Sequence, residues 1–114
     1  MNYDLEERTS KFGENVISFL GSLPKSDINR PLVSQLVRSA TSIGANYMEA
    51  NEASSKKDFR NKITICRKES NESKHWLRMV AHANSAQKEK CKQLWKESHE
   101  LTLIFSKIVQ TCSV

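Results

Sequence analysis

Apolar residues recur every three or four positions along four stretches of this chain. Short polar breaks rich in Ser, Asn and Pro separate the stretches. That period matches one face of an α-helix, not the alternation of a half-buried strand. The first stripe runs Leu5, Phe12, Val16, Phe19, Leu20 and Leu23. Asp4 with Glu7 three residues on has capping-box spacing at its start, and Pro24 stops it. The second helix is expected to start between Asp27 and Arg30, with Pro31 in the first turn, where its missing N–H does least harm. Its stripe is Leu32, Leu36, Ala40, Ile43, Tyr47 and Ala50. Residues 51–55 form a break, and Ser55 with Asp58 repeats the capping spacing. The third stripe is Phe59, Ile63, Cys66, Ser70, Ser73, Leu77 and Val80, with Trp76 alongside. After a turn at Asn84-Ser85 the fourth is Cys91, Leu94, Ser98, Leu101, Phe105, Ile108 and Cys112. Its steps alternate three and four, the seam of helices crossing near +20°.

Short connections make sequential helices antiparallel neighbours. The expected fold is all-α, an antiparallel up-down-up-down four-helix bundle occupying residues 1–114 as one domain. A length of 114 residues suits one core and not two, and three glycines and two prolines leave little material for a many-stranded fold. The apolar share of 38% is low for a globular monomer, but a bundle needs to bury only one stripe per helix.

Gly44 sits inside the second stretch, where glycine costs about 1 kcal/mol relative to alanine. Small residues let a neighbouring helix approach closely, and the stronger dispersion contacts can offset that cost. Ala40 and Gly44 on helix two and Ser70 and Ser73 on helix three are expected to supply such an approach in the central hairpin. Folding the chain back near residue 54 sets Arg38 opposite Ser70, Asn46 opposite Lys62 and Glu49 opposite Phe59. A structural polar network is therefore expected from Arg38, Asn46, Glu49, Glu69 and Glu72, with Arg38 pairing to Glu69 or Glu72 and fixing register. Ordinary surface charges are the competing reading.

Composition and charge narrow the function classes. The net charge is +5, unevenly spread: residues 1–55 carry five Lys/Arg against seven Asp/Glu, and residues 56–114 carry thirteen against six. That asymmetry favours an anionic partner. On helix three, Arg60, Arg67, Lys74 and Arg78 share one flank, widened by Lys57 and Lys68. On helix four, Lys88, Lys92 and Lys96 follow at i, i+4 and i+8. Such rows can track phosphates with weak sequence preference. A solvated bundle face would give the same rows, and aromatic residues are scarce on them, so stacking of single-stranded bases has no obvious support.

Enzymatic readings fare worse. Glu49/Glu52 and Glu69/Glu72 are two Glu-x-x-Glu pairs that could hold Mg²⁺ for nucleotide pyrophosphohydrolysis. The hairpin register sets them roughly 15–20 Å apart at 1.5 Å per residue, too far for one metal cluster. Glu72 to His75 is a single Glu-x-x-His where a di-iron bundle needs two. The spacings Arg67–His75 and Arg78–His82 do not fit the Arg-x4–6-His motif of helical ribonucleases. His82 and His99 have no zinc spacing, and no nucleophile arrangement is visible. No metal or cofactor is expected. Cys66, Cys91 and Cys112 lie on apolar stripes without metal-ligand spacing and read as free thiols in a reducing cytoplasm. The acidic, polar N-terminus does not read as a signal peptide, and no apolar run approaches the ~20 residues needed to span a bilayer.

The stretch from Gln35 to Val80 resembles the four-helix-bundle family of proteins encoded in intervening sequences of bacterial 23S ribosomal RNA genes. The residues that carry the resemblance are Gln35-Leu36-Val37-Arg38-Ser39-Ala40, Ser42-Ile43-Gly44-Ala45-Asn46, Glu49, Ser55-Lys56-Lys57-Asp58-Phe59, Lys68-Glu69, Glu72 and Trp76-Leu77. Many members have Gly where this chain has Ala50. The family includes the accessory variability protein of diversity-generating retroelements, a basic homopentamer that binds a reverse transcriptase and nucleic acid. The resemblance implies a homopentamer here. The expectation is a non-enzymatic, cytoplasmic, self-associating bundle whose basic surface meets RNA, DNA or a nucleic-acid-bound partner such as a reverse transcriptase. The phosphate-contacting candidates are Lys57, Arg60, Arg67, Lys74, Arg78, Lys88, Lys92 and Lys96. The alternatives are an assembly subunit that binds no nucleic acid and the metal-dependent nucleotide pyrophosphohydrolase.

Overall fold

The computed structural model describes residues 4–112, which form four helices and no strand. They are α1 (Leu5–Gly21), α2 (Asn29–Asn51), α3 (Lys56–Ala83) and α4 (Lys88–Thr111), with a 3₁₀ turn at Ser85–Gln87 leading into α4. The molecule is a rod of 45 × 23 × 20 Å. Its length is that of α3, whose 28 residues span about 42 Å at 1.5 Å each.

Local chemistry sets the helix ends. The Asp4 side chain accepts from the Glu7 backbone N–H at 3.3 Å, with Asp4 itself in the left-handed region that Asp tolerates better than most residues. Ser26 Oγ accepts from the Asn29 N–H at 3.0 Å and so caps the first turn of α2, which also holds Pro31. Ser55 Oγ accepts from the Asp58 N–H at 3.0 Å at the start of α3. At the far end of the α2–α3 hairpin, Asn29 and Asn84 exchange side-chain amide hydrogen bonds, both 2.9 Å. Asn29 also donates to the Pro24 carbonyl, so this largely buried side chain is satisfied at a helix end.

The apolar stripes meet in one core. Phe12, Val16, Leu36, Ile43, Ile63, Leu77, Leu101 and Phe105 are almost wholly buried. On α4, Val109 is buried where the periodicity had pointed to Ile108, which is only partly covered. Between the apolar layers runs a seam of small hydroxyl residues. Ser73 donates to the Glu69 carbonyl at 2.9 Å, and its oxygen lies 2.8 Å from Ser39 Oγ across the α2–α3 contact. Ser98 donates to the Ser70 carbonyl at 2.6 Å, and Thr102 donates to Ser70 Oγ at 3.0 Å across α3–α4. Ser70, Ser73 and Ser98 donate to helix carbonyls, and Ser39 and Thr102 donate to a hydroxyl on the neighbouring helix, so the helices pack closely at small cost in unpaired polar groups.

Contact partners fall in reversed order along α2 and α3: Asn29 with Asn84, Ser39 with Ser73, Ile43 with Cys66, Glu49 with Lys62. The fold-back is therefore centred near residues 55–56, one to two beyond the expected 54, and Glu49 meets Lys62 where the sequence placed Phe59. Gly44 differs from expectation too. A Cβ there would lie 3.3 Å from Thr9 Oγ1, so its close approach is to α1 and not to α3. Gly13 faces Ala40 and Thr41 from the other side of the same contact, where a Cβ would meet its neighbours at an ordinary 3.7 Å. By comparison α1 packs only lightly on α4.

Candidate nucleic-acid interface

Charge is divided between the two flanks of α3. Glu69 and Glu72 lie on the flank toward α2, where Arg38 pairs with both; its contact to Glu69 is 3.2 Å. Trp76 Nε1 adds a hydrogen bond to Glu72 Oε2 at 3.0 Å. Farther down the same flank Lys62 pairs with Glu49 at 2.9 Å, and that carboxylate raises the Lys62 pKa above its ordinary value. The structure thus brings Arg38, Glu69 and Glu72 together and holds Glu49 in a separate pair. Asn46 does not join either, because its amide donates to the Ser42 carbonyl of its own helix at 2.8 Å.

The opposite flank of α3 turns toward α4 and carries the basic residues. Arg78 shares a groove of about 360 Å³ with Lys88 and Lys92 of α4, floored by Leu77, Ala81 and Cys91 and walled by Trp95. Lys74, one turn below Arg78, reaches across to α4. Its Nζ lies 3.0 Å from His99 Nδ1 and 5.3 Å from the centre of the Trp95 ring. An ammonium has no acceptor, so His99 accepts through Nδ1 and carries its proton on Nε2. The imidazole stacks on the indole at 5.0 Å and 15°. Arg67 lies about two turns below Lys74 and Arg60 two turns further, both half-buried. The row from Arg60 to Arg78 is roughly 27 Å long at 1.5 Å per residue. Lys57 and Lys96 are exposed and stand outside the groove.

Sequence reasoning missed Trp95. It follows Lys88 by seven and Lys92 by three, which places it on the α3-facing flank of α4 beside the basic row. That spacing was a readable signal, obscured because Trp95 lies off the apolar seam. Trp95 is 38% exposed, among the few large apolar side chains that reach solvent.

The remaining chemistry-bearing residues are quiet. Cys66 is fully buried and its thiol is pushed up to about 12 by desolvation; burial also raises Cys91. All three cysteines are free. Among the described residues no three His, Cys, Asp or Glu side chains group as a metal site, and no helix is long and apolar enough to cross a membrane.

Fold and groove together define a class: a four-helix protein whose third helix separates an acidic contact on one flank from a basic, tryptophan-bearing groove on the other. Residues 1–107 match the 23S rRNA-intervening sequence protein family, and the chain belongs to that family. It is similar to a solved protein of unknown function from the S23 ribosomal protein family of Bacteroides thetaiotaomicron VPI-5482. The two are 29% identical with a TM-score of 0.84, over 93% of this chain and 95% of the other. No curated protein matches the chain.

Proposed function

We propose that this protein is a non-catalytic nucleic-acid-binding bundle that holds phosphates along the α3–α4 flank. One observation carries the reading: the basic rows of two helices converge, with Arg78, Lys88 and Lys92 on one groove and Lys74 at its edge. Like charges gathered without a carboxylate in the groove lining repel one another, and a polyanion relieves that repulsion. A non-catalytic role is supported by the carboxylates, since Glu49, Glu69 and Glu72 are each taken up by a cation of the protein itself. The free thiols favour a cytoplasmic setting.

The reading extends to an antiparallel up-down-up-down bundle that self-associates as a homopentamer, with a nucleic-acid-bound protein such as a reverse transcriptase as a further partner. Reversed contact order between α2 and α3 favours the topology. Self-association is favoured by the outer face of α4, where Leu103 is 56% exposed beside the half-buried Ile104 and Ile108. If that face is the dominant function, the protein is an assembly subunit that binds no nucleic acid.

Fluorescence anisotropy with labelled RNA and DNA, run between about 50 and 200 mM salt, tests the proposal. Four phosphate contacts to a single strand predict a log–log salt slope near −3, at about −0.7 per contact. Arg78→Glu with Lys92→Glu should weaken binding at least about tenfold and flatten that slope. Salt-independent binding, or none at low salt, would overturn it. Light scattering of the same samples reports the number of copies in the assembly.

A further inference from the structure

We infer that the groove between α3 and α4 takes an unpaired base, so that the protein selects single-stranded over duplex nucleic acid, with Trp95 as the stacking platform. The inference rests on the phosphate-binding reading above and adds a specificity to it.

The composition of the groove carries the argument. A phosphate-only site needs cations and nothing else. Here the cations form a rim, while Leu77, Ala81, Cys91 and the Trp95 indole form an apolar interior. A nucleotide has the same division: an apolar, polarisable base joined to an anionic phosphate. At about 360 Å³ the groove lies at the small end of ligand sites, room for one base and not a base pair.

The indole is also held ready. His99 stacks on it at 15°, and Lys74 pins His99 through the 3.0 Å hydrogen bond to Nδ1. The Lys74 ammonium itself lies within cation–π range of the ring. An aromatic side chain fixed in this way loses little rotamer freedom on binding. A ring left 38% exposed beside four cations exposes apolar surface that a stacked base would cover. Bases inside a duplex present no free face to such a ring, whereas those of a single strand do.

The test uses the full chain carrying Trp76→Phe, which leaves Trp95 as the sole fluorophore of the two tryptophans. The probes are a short single-stranded RNA of mixed sequence, the same RNA annealed to its complement, and adenosine monophosphate. The single strand should quench Trp95 and bind more tightly than the duplex. Trp95→Ala should weaken single-strand binding about ten- to a hundred-fold and leave duplex binding nearly unchanged, while Trp95→Phe keeps most of the affinity. Thermal unfolding by circular dichroism checks that each variant is folded, which the partial exposure of Trp95 favours. Unchanged single-strand affinity in Trp95→Ala, with loss in the Arg78→Glu Lys92→Glu variant, overturns the stacking site and leaves the phosphate reading standing. Absence of all nucleic-acid binding overturns both. Adenosine monophosphate binding as tightly as the strand overturns the strand preference and makes the groove a mononucleotide site.

Discussion

At the scale of single residues, Cys66 shows how burial turns a reactive group into packing. Its sulfur sits in the core and meets the Ile43 carbonyl at 3.5 Å. Desolvation disfavours the thiolate, so the folded protein holds the thiol neutral to about pH 12, above its ordinary value of 9.0. The unfolded chain ionises first as pH rises. The Cys66 contribution is therefore complete below about pH 9 and is lost progressively as pH climbs toward 12. Urea midpoints measured at pH 7 and pH 11 should fall further in the wild type than in Cys66→Ala. That variant starts lower, having lost a buried sulfur, but lacks the titration. Lys62, whose pKa is also raised, titrates in both proteins and cancels in the comparison. Parallel pH profiles would refute the assignment.

At the scale of elements, the contact of α1 with α2 is tightest at Gly44, and the role of that glycine can be tested by its sign. Adding a Cβ at Gly44 improves helix propensity by about 1 kcal/mol but brings that carbon to 3.3 Å from Thr9 Oγ1. Thr9 cannot easily yield, because its hydroxyl donates to the Leu5 carbonyl at 2.7 Å and it is β-branched. Gly44→Ala alone should therefore change stability by less than about 1 kcal/mol, the two effects opposing. In a Thr9→Ala background the obstruction is gone, and Gly44→Ala should stabilise by about 1 kcal/mol. Equal effects in both backgrounds, measured by urea denaturation, would show that Thr9 is not the obstacle. The same contact marks what the sequence made readable. Helix number, caps and the buried stripes follow from local spacing and capping chemistry, which act within a few residues. That Gly44 needed a close neighbour was also readable. Which neighbour was not, because the exact centre of the fold-back and the choice between α1 and α3 depend on how whole helices dock. Asn46 was misplaced for the same reason: its nearest acceptor lies one turn back on its own helix. For the groove, both basic rows could be read off, and so could the place of Trp95 beside the α4 row, but the convergence of the two rows is set by the α3–α4 contact and has no local signal.

At the scale of the whole molecule, packing is uneven. Helix α3 packs broadly on both α2 and α4, whereas α1 is laid on α2 and touches α4 sparingly. Its main polar tie to α4 is Arg8, which forks onto both oxygens of Glu97 at 2.8 and 2.9 Å and onto Glu100 at 3.2 Å. The hydrogen bond to Glu97, opposed in part by burial, holds the Arg8 pKa above its already high value, so the clamp stays charged on the arginine side at any ordinary pH. Arg8 is about three-quarters covered and the geometry is bidentate, so the clamp is worth more than a surface pair, about 1–2 kcal/mol. Removing it should act locally. In Arg8→Ala, amides of α1 should exchange with solvent deuterium about five- to thirty-fold faster, while those of α2 and α3 near Ser39 and Ser73 keep their protection in the hydroxyl seam. The α3–α4 groove lies on the other side of the bundle from the clamp, so nucleic-acid affinity should stay within about twofold of wild type. A uniform rise in exchange across all four helices would instead show that α1 and the three-helix remainder unfold as one cooperative unit. Loss of binding along with α1 protection would show that the groove depends on α1 for its shape.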